Sequence, residues 1–205
     1  MADELVFYTN PQSRGAMTHW MLEEVGCPYR TVVKAFGPDM KSPGYLAINP
    51  MGKVPAIRHG DAVVTETGAI LAYLADAFPQ YRLAPPLGQR GAYYRWLFFV
   101  AGCGEPAMGN KAAGWDPSTP ELQGRFGYGS YKATMDTLEE AITGKRYIAA
   151  DHFTAADLYV ASLLNFGMMF NIIEKRPAFE AYVKPHFERP ASQRAQKKMR
   201  ELQAA

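Results

Sequence analysis

The chain has 205 residues and a composition ordinary for a globular protein, enough for one large domain or two small ones. Lys and Arg number 22 against 20 Asp and Glu, a formal charge of +2, so nothing in the charge balance favours nucleic acid or a membrane surface. The two cysteines, Cys27 and Cys103, lie far apart and match no metal or CxxC spacing, and no apolar run is long enough to span a bilayer.

Leu5 to Tyr8 predicts a short strand close behind Met1, with no secretory leader, and the chain reads as cytoplasmic. Arg14 to Val25 carries helical spacing through Met17, Trp20, Met21 and Leu22, and Gly26 is its stop. Cys27 directly behind that stop reads as a structural thiol. Tyr29 to Val33 is a second strand and Ser42 to Ile48 a helical turn. Pro55 to Arg58 and Ala62 to Val64 form a hairpin about His59-Gly60-Asp61. Glu66 to Phe78 is a second strong helix, with Ile70, Leu71, Leu74 and Phe78 at helical spacing. The order β-α-β-α-β-β-α predicts a small α/β sandwich with a mixed four-strand sheet.

Pro79 to Gly88 holds three prolines and reads as a linker. Beyond it no strand is convincing. Gln89 to Ala101, Glu121 to Thr143, Ala155 to Phe170, Pro177 to His186 and Ser192 to Leu202 predict an all-helical domain, and Gly102 to Pro120 interrupts its first two helices. The domain boundaries are thus 1–79, a linker at 80–88, and 89–205. The basic stretch Arg189 to Arg200 reads as a solvated helix face. In Phe153-Thr154-Ala155-Ala156-Asp157 the spacing is that of a capping box, Asp157 standing where Glu or Gln is usual.

Several features of the first domain fall where open α/β sheets hold ligands, at strand ends and helix N-termini. Ser13 stands where the first helix begins, either as an N-cap or as a hydroxyl aimed at a ligand. In Val54-Pro55 the local sequence favours a trans strand-opening proline; a cis bond instead turns the Val54 backbone toward a peptide-like ligand. Glu66 and Thr67 either cap the following helix or meet the ammonium and carboxylate of an amino acid. Lys53 is either solvated or a point charge for a carboxylate.

The stretches NPMGKVPAI, TETGAILAYLAD, HFTAADLYVASLL and RPAFEAYVKPHFERP, in this order and at these separations, resemble the glutathione transferase superfamily over essentially the whole chain. The resemblance implies a thioredoxin-like N-terminal domain, a helical C-terminal domain and a homodimer engaged in detoxification, with glutathione as co-substrate and no metal. It implies a cis Pro55, with Val54 pairing its backbone to the cysteinyl part of glutathione. Glu66 and Thr67 match the pair that holds the γ-glutamyl end, and Lys53 a position near the glycine carboxylate. Ser13 matches the catalytic hydroxyl of theta-like classes. It is not the cysteine of the beta class, and the His-Lys pair of that class is missing where this chain has Val100-Ala101-Gly102-Cys103. A serine-type enzyme is expected, with Thr9, Asn10 and Arg14 as further neighbours of the thiol.

The mechanism this implies is transfer of the glutathione thiolate to a hydrophobic electrophile. Ser13 stabilises that thiolate and is not itself the nucleophile. Met108, Trp115 and Tyr131 are read as the apolar wall for the electrophile, with plain core packing the equal alternative for each. Other functions on the same scaffold are a glutathione-dependent isomerase or reductase, and a non-catalytic binding or stress-regulatory protein.

Overall fold

A computed structural model of the chain describes residues 4–204. The chain start Met1 to Asp3, read above as leading into the first strand, lies outside the described residues, as does Ala205. The chain forms two compact units. One runs to Arg82 and takes in the chain from Arg189 onward; the other is Leu83–Glu188.

The first unit contains β1 (Leu5–Thr9), α1 (Gly15–Val25), β2 (Arg30–Val33), the short α2 (Pro43–Leu46), β3 (Ala56–His59), β4 (Ala62–Thr65) and α3 (Thr67–Ala77). The sheet order is β2-β1-β3-β4, with β1 parallel to β2 and antiparallel to β3, and β3 antiparallel to β4. This is the mixed four-strand sheet of a thioredoxin-like domain. β1 is buried on both faces. Phe7 meets His19 of α1 edge-on, while Val6 and Tyr8 point the other way into a cluster with Met40, Tyr45 and Ala56. Gly26 ends α1 in the left-handed region, φ 65°, where a side chain is disfavoured, and donates to the Leu22 carbonyl.

The second unit is helical: α4 (Gly91–Phe99), α5 (Glu105–Ala112), α6 (Pro120–Arg125), α7 (Tyr131–Ile142), α8 (Ala155–Met169) and α9 (Pro177–Phe187). Most of α8 is buried on every side, as its near-continuous apolar sequence requires. Gly104 lets it approach closely: a Cβ there falls 2.6 Å from Leu163. The capping box at Thr154 and Asp157 is formed. Among the described residues no helix is long and apolar enough to cross a membrane.

Three expectations are corrected. The Gly102 to Pro120 stretch does not interrupt the helix after Ala101. A π-helical turn over Val100–Gly104 carries α4 into α5. Pro106 lacks an N–H and its ring crowds the carbonyl four residues back, and the widened turn accommodates both. The single helix expected over Glu121 to Thr143 is broken into α6 and α7 at Gly127 and Gly129, the latter at φ 66°. The helical domain read as 89–205 loses its last helix, α10 (Pro190–Ala204), to the first unit, where it packs on α1. The basic face there is solvent-exposed at Arg194, Lys197, Lys198 and Arg200, as read, and it also reaches carboxylates of α1. Arg189 binds Glu24, and Arg194 and Lys198 bind Glu23, two carboxylates largely shielded from water on α1.

Candidate functional site

Strand register gathers the candidate residues of the first unit. Tyr8 of β1 pairs with Ala56 of β3, and Ala56 pairs with Thr65 of β4. The segments that follow β1, precede β3 and follow β4 therefore leave the sheet at one end. Those segments carry Thr9 to Arg14, Lys53 to Pro55, and Glu66 with Thr67.

In the first segment the Ser13 hydroxyl donates to the Asn10 carbonyl at 2.7 Å and accepts from the Gly15 N–H at 3.0 Å. It thus serves the helix start while standing half-buried beside it. The Asn10 carbonyl also receives the Ser13 N–H at 3.1 Å, so it stays satisfied when the hydroxyl turns elsewhere. The Asn10 side chain bridges strands and loop: Nδ2 donates to the Lys34 carbonyl and Oδ1 accepts from the Gln12 N–H. Thr9 is fully buried, and its Oγ1 lies 1.9 Å from where a Cβ on residue 15 would be. Only glycine fits there. Arg14 is the residue directly before α1.

In the second segment the Val54–Pro55 peptide is cis. Pro55 is buried and Val54 half-buried, while the Lys53 side chain is exposed. The turn before them is held by Asn49, whose Oδ1 accepts from the Met51 N–H and whose carbonyl accepts from the Gly52 N–H. Gly52 has φ 57°, and a Cβ there would strike the Met40 carbonyl oxygen at 2.5 Å. The Lys53 carbonyl accepts from Tyr45 Oη at 2.6 Å and from Asn49 Nδ2 at 2.9 Å. Sequence reasoning passed over Tyr45 and Asn49 as functional residues. The available signal was their spacing of four, which sets both on one side of a helical turn.

In the third segment Glu66 precedes α3 with φ 66° and ψ 123°, a backbone conformation that costs a non-glycine residue energy. Its carbonyl accepts from Ile70, its side chain is exposed, and no side-chain hydrogen bond caps the helix. Thr67 opens the helix rather than capping it. The first-turn N–H groups of α3 have no helical acceptor and face an anion favourably.

The second unit holds the residues read as an electrophile wall. Met108 is core, 1 % exposed. Trp115 is 41 % exposed and meets Phe126 edge-on at 5.0 Å, and Phe126 in turn meets Tyr128. Tyr131 gives its hydroxyl to the Ile172 carbonyl and carries Lys111 over its ring. Phe126 and Tyr128 were not anticipated, because both fell inside the single helix expected over Glu121 to Thr143, which the structure breaks where they lie, between α6 and α7. Burial pushes the thiols of both Cys27 and Cys103 up. Among the described residues no cluster of His, Cys, Asp or Glu is arranged to hold a metal.

A thioredoxin-like unit with these loops at one sheet end, followed by an all-helical unit, defines the glutathione transferase fold. The Glutathione S-transferase N-terminal domain model matches residues 15–77 and the C-terminal domain model residues 131–190. The chain is 30% identical over 155 residues to Glutathione S-transferase GstA of Escherichia coli O157:H7, covering 74% of this chain and 76% of that one. It is 29% identical to the Disulfide-bond oxidoreductase YghU of Escherichia coli K12, over 76% of this chain and 58% of that one. Glutathione transferase URE2P6 from Phanerochaete chrysosporium, solved with oxidized glutathione, superposes with a TM-score of 0.80 at 25% identity, covering 98% of both chains. The chain belongs to the glutathione S-transferase family.

Proposed function

We propose that the chain is a serine-type glutathione transferase that holds glutathione at the gathered sheet end and presents its thiolate to a hydrophobic electrophile. The observation that carries this reading is the register Tyr8–Ala56–Thr65, which brings the Ser13 loop, the Val54–Pro55 turn and the start of α3 together. Each part of the tripeptide then has a chemical match. The N–H groups opening α3 suit the γ-glutamyl carboxylate, and the exposed Glu66 suits its ammonium. The Val54 backbone offers a sheet-like edge to the cysteinyl part. Lys53 supplies a positive charge for the glycine carboxylate, and Ser13 a hydroxyl for the thiol. Thr9 and Asn10 shape the loop that carries Ser13, and Arg14 adds positive charge beside it.

A free thiol has a pKa of about 8.5, so only a few per cent is thiolate at neutral pH. Lowering it by two units takes about 2.7 kcal/mol of preferential thiolate stabilisation. An O–H···S⁻ hydrogen bond from Ser13 and the N-terminal field of α1 are of that size together. The hydroxyl turns from the Asn10 carbonyl to the sulfur, and the Ser13 N–H keeps that carbonyl paired. The thiolate attacks the electrophile, its sulfur forming the new bond as the leaving group departs with its electron pair. Trp115 and Tyr131 are proposed for the electrophile wall, joined by Phe126. Large apolar side chains exposed on α4, Phe98 at 73 % among them, support a homodimer as the working form. We place the enzyme in the cytoplasm.

The likeness to the oxidoreductase YghU supports a second reading, in which the same thiolate reduces a disulfide. Ultraviolet titration of the bound thiolate in wild type and Ser13→Ala tests the common step, and an unchanged thiol pKa would remove Ser13 from it. Turnover of an aryl halide, a maleyl compound and a small disulfide, side by side, then separates transferase, isomerase and reductase. Glutathione binding with no turnover of any of them would identify a non-catalytic relative.

A further inference from the structure

The Lys53 carbonyl is gripped by two side chains from one helical turn. Tyr45 and Asn49 are four residues apart, linked by the Asn49 N–H to the Tyr45 carbonyl at 2.9 Å. Tyr45 Oη and Asn49 Nδ2 converge on the same oxygen, at 2.6 and 2.9 Å. A carbonyl oxygen has two lone pairs, and both are used. Tyr45 and Asn49 are almost fully buried, at 1 % and 2 % exposed, so neither swings away into solvent. The Tyr45 ring is locked in the cluster with Val6, Tyr8, Met40 and Ala56, against which Val54 packs. Burial pushes the Tyr45 hydroxyl up to about 12, so it remains a neutral donor at physiological pH.

The Lys53 C=O and the Val54 N–H belong to one planar trans peptide group and point in opposite directions. Fixing one therefore aims the other. Resting on the function proposed above, we infer that Tyr45 and Asn49 are positioning residues that aim the Val54 N–H at the peptide backbone of glutathione. They act through Lys53, touching neither ligand nor reacting atoms. Asn49 has a second duty, because its Oδ1 also holds the Met51 N–H of the turn. The hydroxyl of Tyr45 has this single task, so its removal reports on aim alone.

The test is Tyr45→Phe, which keeps the ring and its packing and removes one donor. Titration calorimetry with reduced glutathione, steady-state kinetics and thermal unfolding are read together. Loss of one neutral hydrogen bond is expected to raise the Kd and KM for glutathione about fivefold. The kcat, the KM for the electrophile and the pKa of the bound thiol are expected to stay as in wild type, since Ser13 is untouched. Asn49→Ala, which removes the second donor and loosens the turn, is expected to weaken glutathione binding about tenfold or more. Wild-type glutathione binding in Tyr45→Phe overturns the inference while leaving the proposed function standing. So does a parallel loss in kcat and in the electrophile's KM, which would mark general loosening. Failure of the wild-type chain to bind glutathione overturns the proposed function and this inference with it.

Discussion

Arg189 clasps Glu24 through two hydrogen bonds, Nε to Oε1 at 2.7 Å and Nη2 to Oε2 at 2.8 Å. The pair ties the start of the last helix to the end of α1, the two residues standing 165 positions apart in sequence. Glu24 is well shielded and takes a further hydrogen bond from the Trp20 indole N–H at 2.9 Å. Removing the arginine leaves a shielded carboxylate half-paired. Arg189→Ala is expected to cost about 2–3 kcal/mol, below the full penalty of a buried pair because Arg189 is itself partly exposed. Its double mutant with Glu24→Gln is expected to cost less than the sum of the two singles. Urea unfolding of the four species checks this, and strict additivity would show that the clasp contributes nothing as a pair.

His19 links this same interface to pH. Its ring is buried edge-on to Phe7 and Tyr29, and among the described residues neither ring nitrogen has a hydrogen-bond partner. Burial pushes its pKa down from 6.5 to about 4, with Lys198 acting in the same direction and Glu23 against it. The unfolded chain therefore binds a proton between these values that the folded chain refuses. Stability is complete above about pH 6.5 and is lost as pH falls, by about 3 kcal/mol at pH 4 from this group alone. Glu23 adds to the loss. Burial acts to raise its pKa, but Lys198, Tyr29 and Arg194 outweigh that and hold the carboxyl below its usual range. Its stabilisation is present above the unfolded carboxylate pKa and disappears below it. His19→Leu is expected to flatten the dependence of the urea midpoint between pH 7 and about pH 5. Equal slopes in wild type and variant would show that His19 is not the titrating group.

Local signals made most of this fold legible. β-branched runs marked the strands, Gly26 marked the end of α1, and the His59-Gly60-Asp61 turn marked the hairpin. The loops carrying Ser13, Val54–Pro55 and Glu66 could be named because each sits at an element boundary, and boundaries leave residue-type signatures. What escaped depends on partners distant in the chain. Nothing local in Arg189 to Arg200 says that Glu23 and Glu24 wait on the first helix, so of a face that is both exposed and paired only the exposure was legible, the partners being 165 to 175 residues distant. The π-helical turn at Val100–Gly104 escaped because glycines near a proline ordinarily end a helix, whereas here close packing on Leu163 favours continuing it. The hold of Tyr45 and Asn49 on Lys53 escaped because their spacing of four sets both on one side of a helical turn without saying which group their side chains reach.

Gly15 gives a prediction opposite to helix propensity. Glycine to alanine inside an exposed helix normally gains about 0.5–1 kcal/mol. Here the new Cβ lands 1.9 Å from Thr9 Oγ1 and 3.0 Å from Ser13 Oγ, with Thr9 fully buried. Thr9 and Ser13 must both move. Gly15→Ala is expected to destabilise the chain by about 1–3 kcal/mol and, by displacing Ser13, to raise the pKa of the bound thiol. Adding Thr9→Ala removes the nearest clashing atom and is expected to recover part of the stability. An unaltered melting temperature and thiol pKa in Gly15→Ala would mean that the loop relaxes freely and does not hold Ser13.

Asp157 organises the second unit from a fully buried position on α8. Its Oδ1 accepts from the Ile148 N–H and the Tyr182 hydroxyl, each at 2.7 Å; its Oδ2 accepts from the Thr154 N–H at 2.8 Å and the Thr154 hydroxyl at 2.9 Å. One carboxylate thus joins the approach to α8, the helix start and α9. Burial and the adjacent carboxylate hold the Tyr182 hydroxyl well above the usual tyrosine range, so it stays a donor. Asp157→Ala strands donors from three segments and is expected to cost about 3–5 kcal/mol. Asp157→Asn keeps the shape but turns one acceptor into a donor facing donors, so it is expected to recover only part of that loss. Tyr182→Phe removes a single donor and is expected to cost about 1–2 kcal/mol. Denaturant midpoints across the three variants check this ranking. A Tyr182→Phe loss as large as that of Asp157→Ala would show that the carboxylate acts chiefly through α9 rather than as the cap of α8.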